Sequence, residues 1–177
     1  YSILPKVTSS SRSAIESLYK IAESDKYHSE TRQYSQDIID AYGKLTKDSK
    51  IEKLIEIIEK VLARDKNAKI LIYTKHPTTL RYIIEKLQPY NLKIVDFMGG
   101  LTREEKTKKI AEFKTDAQMM ISTETGAEGL NFQFCNVLIN YDLPWNPMSV
   151  EQRIGRLDRI GQTRDMYIYS LATKDTM

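Results

Sequence analysis

A single cysteine, Cys135, stands among the 177 residues, which excludes an internal disulfide and a zinc site built on cysteines. Its neighbours Phe132, Phe134 and Val137 mark it as a buried structural thiol. No apolar run approaches the roughly 20 residues that span a bilayer, so no membrane role is implied. The sequence begins Tyr-Ser-Ile-Leu-Pro-Lys, without a methionine and without a charged-then-apolar signal pattern, and is expected to be a piece of a longer polypeptide. Neither sign of charge dominates. With 27 Lys and Arg against 24 Asp and Glu the net charge is +3, so any contact with nucleic acid has to use a local patch. The two histidines, His28 and His76, have no His, Asp or Glu at metal-ligand spacing; both are expected to be structural or exposed, and no metal ligand is predicted. Also missing are a Gly-x-x-x-x-Gly-Lys-Ser/Thr phosphate cradle and a strand ending in an Asp-Glu pair that would serve magnesium. Those two absences exclude autonomous hydrolysis of a nucleoside triphosphate.

What remains is ordinary in composition, 41% apolar and 29% charged, and long enough for one sizeable core with an appendage. From Ala68 onward, short β-branched runs alternate with amphipathic stretches, the pattern of βαβ units on a parallel sheet. Strands are expected at Lys69 to Thr74, Lys93 to Phe97, Met119 to Thr123, Val137 to Tyr141 and Met166 to Leu171. Helix starts are signalled by Pro77, by a capping box of Thr102 with Glu105, and by Asn146 followed by Pro147. Ser49 with Glu52 forms another box. It opens a helix from about Lys50 to Arg64 whose Ile51, Leu54, Ile55, Ile58 and Leu62 make an apolar face. Right-handed crossovers then place helices on both faces, giving a three-layer α/β domain. Residues 1–45 carry no strand pattern. They read as a helical leader with helices near Ser13 to Ser24 and Thr31 to Leu45, either a packing appendage or a separate binding element. Tyr19, Tyr27, Tyr34 and Tyr42 recur at intervals of eight, seven and eight, a spacing read as a packing face ahead of a base-stacking platform.

Near the carboxyl end, Gln152, Arg156 and Arg159 stand at i, i+4, i+7 and would form one polar stripe on a helix. Val150, Ile154 and Leu157 repeat that spacing two positions earlier, about 200° away, and would anchor the helix to a core. Two guanidinium groups on one exposed face are either a solvated basic surface or a fork for phosphate oxygens. Upstream, Gly126 and Gly129 follow the Met119 to Thr123 strand, where ligands collect at the carboxyl ends of parallel strands. That loop is either a plain strand-to-helix turn or a site of close backbone approach. Trp145 suits packing or stacking on a base. The run Arg103, Lys106, Lys108, Lys109 and Lys114 is diluted by Glu104, Glu105 and Glu112, and reads as a solvated face ahead of a duplex-attracting one.

The stretch Glu151-Gln-Arg-Ile-Gly-Arg-Leu-Asp-Arg-Ile-Gly-Gln162 closely resembles motif VI of the superfamily 2 helicase-like ATPases, with a Swi/Snf-type Arg-Ile-Gly-Gln ending. Ser122 to Phe132 resembles motif V, and Tyr141-Asp-Leu-Pro-Trp-Asn-Pro147 resembles the family's Asp-x-x-Trp-Asn-Pro segment. Ile72 to His76 occupies the place of motif IV, and Gly99 to Phe113 resembles the segment after it, with Lys106 where an arginine is usual. Glu128, Asn131 to Phe134 and Glu151 to Arg159 are most similar to the bacterial ATPases that recycle RNA polymerase. The resemblance covers about 130 residues, from Lys47 to Met177.

The resemblance implies a RecA-like fold, the carboxyl-terminal lobe of a two-lobe motor, spanning residues 46–177 behind the leader of residues 1–45. The family continues from the last residues here into an acidic helix, so the lobe is expected to be truncated at that edge. The parent would be a DNA-dependent ATPase that translocates on duplex DNA, while this stretch alone would be inactive. Arg156 and Arg159 would be arginine fingers and Gln152 their polar partner in the cleft. Glu128, Gly129 and Asn131 would lie toward the nucleotide; Thr74, Ser122 and Thr123 would touch the nucleic-acid backbone. Ala127 stands where a Gly is common, which reduces backbone freedom there. The implied cofactor is ATP with Mg²⁺ in the intact protein, and the implied partners are duplex DNA, the amino-terminal RecA-like lobe and RNA polymerase. The implied setting is the prokaryotic cytoplasm, at the nucleoid. Two other readings stay open, a non-catalytic docking module for nucleic acid or RNA polymerase, and the lobe of an RNA-directed superfamily 2 helicase.

Overall fold

A computed structural model describes residues 4–127 and 129–173. In chain order the elements are α1 (Leu4–Val7), α2 (Ser11–Ala22), α3 (Ser29–Gly43), α4 (Ser49–Arg64), β1 (Ile70–Thr74), α5 (Pro77–Leu87), β2 (Ile94–Phe97), α6 (Arg103–Thr115), β3 (Met119–Thr123), α7 (Glu124–Ala127), β4 (Val137–Asn140), α8 (Pro147–Ile154) and β5 (Tyr167–Ser170). The five strands form one parallel sheet in the order β2-β3-β1-β4-β5. β1 lies at its centre, with Ile70 opposite Met119 on one side and Val137 on the other.

Because strand side chains alternate, β1 divides its residues between two cores. Ile70 and Ile72 join Leu54, Ile58, Leu80 and Ile83 of α4 and α5. Leu71 and Tyr73 join Phe113 of α6, Phe132 and Leu157 on the opposite face. Both faces are therefore covered, which explains why β1, β3 and β4 are buried throughout. Each fully buried Leu or Ile stabilises the fold by roughly 1.5–3 kcal/mol. The result is the three-layer α/β architecture that the strand and helix pattern predicts, RecA-like as the resemblance implies.

Local signals account for most helix starts. Thr102 and Glu105 form the expected capping box, Pro77 opens α5, and the Asn146 side chain accepts from Met148 N at 3.0 Å ahead of Pro147. One start differs. Asp48, not Ser49, caps α4, its Oδ1 accepting from Lys50 N and Ile51 N while Oδ2 takes the Tyr82 hydroxyl. The carboxylate wins because it serves two backbone donors and a tertiary partner together.

The leader forms α1 to α3, and α2 lies on α5 through an Arg12–Glu85 ion pair and a Thr78–Glu16 hydrogen bond. Tyr19, Tyr27 and Tyr34 are exposed and Tyr42 only half-buried, so the tyrosines do not form the expected packing face. Small residues take that role instead: Ser13, Ala14, Ser17 and Ser35 are buried beside Leu18 and Ile39, letting helix backbones approach closely. Among the described residues, no helix is long and apolar enough to cross a membrane.

Candidate functional site at the carboxyl ends of the strands

The carboxyl ends of β1, β3 and β4 bring Tyr73, Glu124 and Asn140 together, and α8 delivers Arg153 among them. Arg153 is 3% exposed. Its Nη1 donates to Asn140 Oδ1 at 2.7 Å and to the Asp142 carbonyl at 3.1 Å, and its Nη2 to Glu124 Oε1 at 2.5 Å. The guanidinium also lies over the Tyr73 ring, 4.8 Å from its centroid. A charge this buried is tolerable only with several such partners.

Arg156 shares the same tyrosine. Its Nη1 donates to the Ala127 carbonyl at 2.6 Å and to the Tyr73 hydroxyl at 3.2 Å. Burial raises the Tyr73 hydroxyl above the ordinary tyrosine range, with Arg156 pulling the other way, so the phenol stays neutral. A cleft of about 210 Å³ is lined by Tyr73, Glu124, Ser149, Gln152, Arg153 and Arg156, beside Thr125. Gln152 is exposed at its mouth, and Arg159 is exposed, its Nε bound to the Gly155 carbonyl at 3.3 Å. This arrangement presents cationic forks to an incoming anion from a rigid aromatic floor.

The single helical stripe is corrected here. α8 ends at Ile154, and residues 155–162 run as successive turns, with Leu157 N and Asp158 N both bonded to the Ile154 carbonyl. Gly155 caps the helix, and the Arg156 carbonyl leaves the helical ladder to accept Phe132 N at 2.9 Å. Gln152 and Arg156 still line one cleft, while Arg159 is carried by the loop. The anchoring side chains behave as expected: Leu157 is buried and Ile154 packs against the same core.

Of the other residues singled out, Thr74 and Ser122 are fully buried and Thr123 is 4% exposed. Thr74 Oγ1 donates to Asp142 Oδ2 at 2.7 Å, Ser122 Oγ to the Thr123 carbonyl at 2.9 Å, and Thr123 Oγ1 faces Thr125 Oγ1 at 3.4 Å. Their hydroxyls thus serve the lobe's own interior at this edge. Gly129 has φ +75°, a conformation that favours glycine. Gly126 is required for a different reason, since a Cβ there would lie 2.6 Å from the Phe97 carbonyl oxygen. Asn131 is exposed and closes a local turn, its Oδ1 accepting from Gln133 N. It lines a separate depression of about 590 Å³ with Lys114, Gln162 and Arg164, away from the cleft of Arg156. Glu128 lies outside the described residues. Trp145 is 84% exposed and does not take the packing role expected among its alternatives. Leu143 and Met148 are exposed with it.

Residues 49–161, more than half of the chain, match the family described as the helicase conserved C-terminal domain. The chain belongs to that family. Among relatives, it is 43% identical over 140 residues to the uncharacterized ATP-dependent helicase YqhH of Bacillus subtilis, covering 79% of this chain and 24% of YqhH. It is 38% identical over 133 residues to the RNA polymerase-associated protein RapA of Vibrio campbellii, covering 73% of this chain and 13% of RapA. The helicase C-terminal domain is thus of the Swi/Snf-type superfamily 2 group, and the chain spans a quarter or less of these relatives. Solved structures agree in fold. The C-terminal part of the Fun30 ATPase domain superposes with a TM-score of 0.67 at 21% identity, covering 91% of this chain and 60% of that one. Domain 2 of the DEAD-box helicase Mss116p, bound to an RNA duplex, gives 0.61 at 23% identity, covering 72% of this chain and 51% of that one.

Arg153, Tyr73, Glu124, Asn140 and Asp142 were not singled out as site residues by spacing or composition. One signal for Arg153 was available: it stands at i+3 from Val150 and i−4 from Leu157, an arginine inside the apolar face of its helix. A charge at such a position has to be buried with partners or displace the helix.

Proposed function

We propose that this helicase C-terminal domain supplies the arginine half of a split ATP site in a longer DNA-dependent ATPase of the Swi/Snf type. One observation carries the reading: Arg156 is braced by the Ala127 carbonyl and the Tyr73 hydroxyl at a cleft mouth that Gln152 also lines, with Arg159 exposed on the adjoining loop. Residues that fit a triphosphate from this side are Arg156 and Arg159, by bidentate charge, and Gln152, by its amide. Magnesium-bound ATP would supply the phosphoanhydride to be cleaved, held by the amino-terminal RecA-like lobe that carries the phosphate cradle this chain lacks. Closing the lobes brings the two guanidinium groups to the charge that develops on the transferred phosphoryl group. Such fingers raise phosphoryl-transfer rates roughly 10³- to 10⁵-fold. Glu128, Gly129 and Asn131 belong to the loop that would approach the nucleotide, although Asn131 opens onto a neighbouring depression.

Duplex DNA is the proposed track. Thr74, Ser122 and Thr123 lie toward the carboxyl ends of β1 and β3, where the track would run, and since their hydroxyls turn inward, contact there would come through neighbouring backbone and exposed groups such as Lys75 and Thr125. The proposed setting is the prokaryotic cytoplasm. RapA is an RNA polymerase-associated protein, and the exposed Leu143, Trp145 and Met148 favour a second reading, a docking surface for RNA polymerase.

The test uses the longer protein that contains both lobes. Arg159→Ala should lower ATP turnover about 10³-fold or more, with the fold intact by circular dichroism. Near-normal turnover in that variant sinks the finger role. Stimulation by duplex DNA is expected to exceed stimulation by RNA; the reverse order would favour an RNA-directed helicase. Polymerase binding without any nucleic-acid-stimulated turnover would favour the docking module.

A further inference from the structure

The leader and the lobe meet at a buried polar network centred on Asp142. Its Oδ2 accepts from Ser9 Oγ at 2.6 Å, Thr74 Oγ1 at 2.7 Å and Lys75 N at 2.9 Å, and its Oδ1 from Lys50 Nζ at 2.9 Å. Lys50 also donates to the Thr8 carbonyl at 2.7 Å and lies 4.3 Å from the Tyr141 ring centroid. Ser9, Ser10 and Thr79 are each 4% exposed or less, so no solvent competes for their hydroxyls.

The hydroxyl protons follow by counting. An ionised carboxylate only accepts, so Ser9 gives Asp142 its single proton. Ser9 Oγ, 2.8 Å from Thr79 Oγ1, must therefore accept from Thr79. Thr79 has then used its proton and accepts from Ser10 Oγ, also at 2.8 Å. Ser10 Oγ in turn accepts from Ser13 N at 3.1 Å, in the first turn of α2. All three hydroxyls are aligned in one direction, from the positive end of the α2 dipole to a negative charge. Each bond in such a chain polarises the next.

On its other side Asp142 reaches the arginine cleft. Its own carbonyl accepts from Arg153 Nη1 at 3.1 Å, Arg153 lies over Tyr73, and Tyr73 bonds Arg156. Ser9 lies outside the residues that match the helicase C-terminal family, so the leader adds something to the lobe that the family match does not contain. We propose that Asp142 is a positioning residue for Arg153 and Arg156, and that Ser9 of the leader sets its position, so that seating the leader stiffens the arginine cleft. The proposal rests on reading that cleft as the functional site, yet it requires no nucleotide.

The test uses the present 177-residue chain with ¹⁵N-labelled arginine. Hydrogen exchange is read by NMR at the Arg153 guanidinium, at the backbone amides of α2, and at the amides of β1 and β3. Ser9→Ala should speed exchange at the Arg153 guanidinium about fivefold, the equivalent of one net hydrogen bond, with β1 and β3 unchanged and Ser9→Thr restoring the slow rate. Asp142→Asn, which keeps the shape and loses the charge, should loosen Arg153 in the same way. The proposal is overturned if Ser9→Ala leaves Arg153 as slow as before, whether or not α2 loosens. It is equally overturned if β1, β3 and Arg153 all speed up together, because the serine would then act only through global stability. Failure here leaves the ATP reading standing, since Arg159→Ala in the two-lobe protein tests that separately.

Discussion

Arg153 holds a full positive charge in a nearly water-free position, and its partners are unequal. Asn140 and the Asp142 carbonyl are neutral dipoles, Tyr73 offers a ring face, and Glu124, the only carboxylate among its described partners, is about half exposed. The ion pair is therefore partly screened, and much of the stabilisation comes from the dipoles and the stacked ring. Among the described residues, Arg153 Nε is buried with no partner, so the site already tolerates one unmet donor. Arg153→Ala would leave Asn140 and the Asp142 carbonyl unpaired beside a cavity, and should cost about 2–5 kcal/mol by urea unfolding. Arg153→Lys cannot fork to Asn140 and Glu124 together, so it should recover only part of that loss. Tyr73→Phe is gentler. It keeps the ring under Arg153 and removes only the hydroxyl that braces Arg156. Stability should fall by about 0.5–1.5 kcal/mol, and ATP turnover of the two-lobe protein by up to about tenfold. Unchanged turnover would mean that the Ala127 carbonyl alone suffices to aim Arg156.

At the scale of elements, the helix signals written locally in the sequence were legible. Thr102 with Glu105, and Asn146 with the Met148 N–H just after Pro147, bond within their own turns, and their caps stand where the residues predict them. The end of α8 was not legible, because what stops it is a tertiary bond: Phe132, more than 20 residues upstream, captures the Arg156 carbonyl. The same holds for the Asp142 node, whose partners Ser9, Lys50 and Thr74 lie far apart in sequence and carry no shared spacing. That node makes the leader's seating pH-dependent. Burial pushes the Asp142 carboxyl up, but Lys50, Ser9, Lys75 N and Thr74 together hold it below the usual carboxylate range. A carboxyl depressed in the folded state contributes stability that is present above its unfolded pKa, near 3.9, and is lost as pH falls through the lower folded value. Thermal unfolding in acid should therefore show a loss of stability below about pH 4 that Asp142→Asn makes smaller. An identical acid profile in the two proteins would remove Asp142 from the account.

For the whole molecule, core and rim follow different rules. The two cores are closed on both faces of the sheet, whereas the rim leaves Leu143, Trp145 and Met148 exposed in the segment that leads into and opens α8. Exposed apolar groups of this kind make a surface suited to a partner, while contributing little to the lobe's own stability. Two substitutions separate the roles. Leu157→Ala removes a side chain that is 1% exposed in the core below Arg156, and should cost about 2–5 kcal/mol on unfolding. Trp145→Ala removes a larger side chain that touches mostly solvent, so its unfolding free energy should stay within about 0.5 kcal/mol of the parent. If the rim is a docking surface, that same Trp145→Ala change should still weaken binding of the two-lobe protein to RNA polymerase in a pull-down or titration. Were Trp145→Ala to destabilise the lobe as Leu157→Ala does, the tryptophan would belong to the core and the rim would lose its exposed anchor.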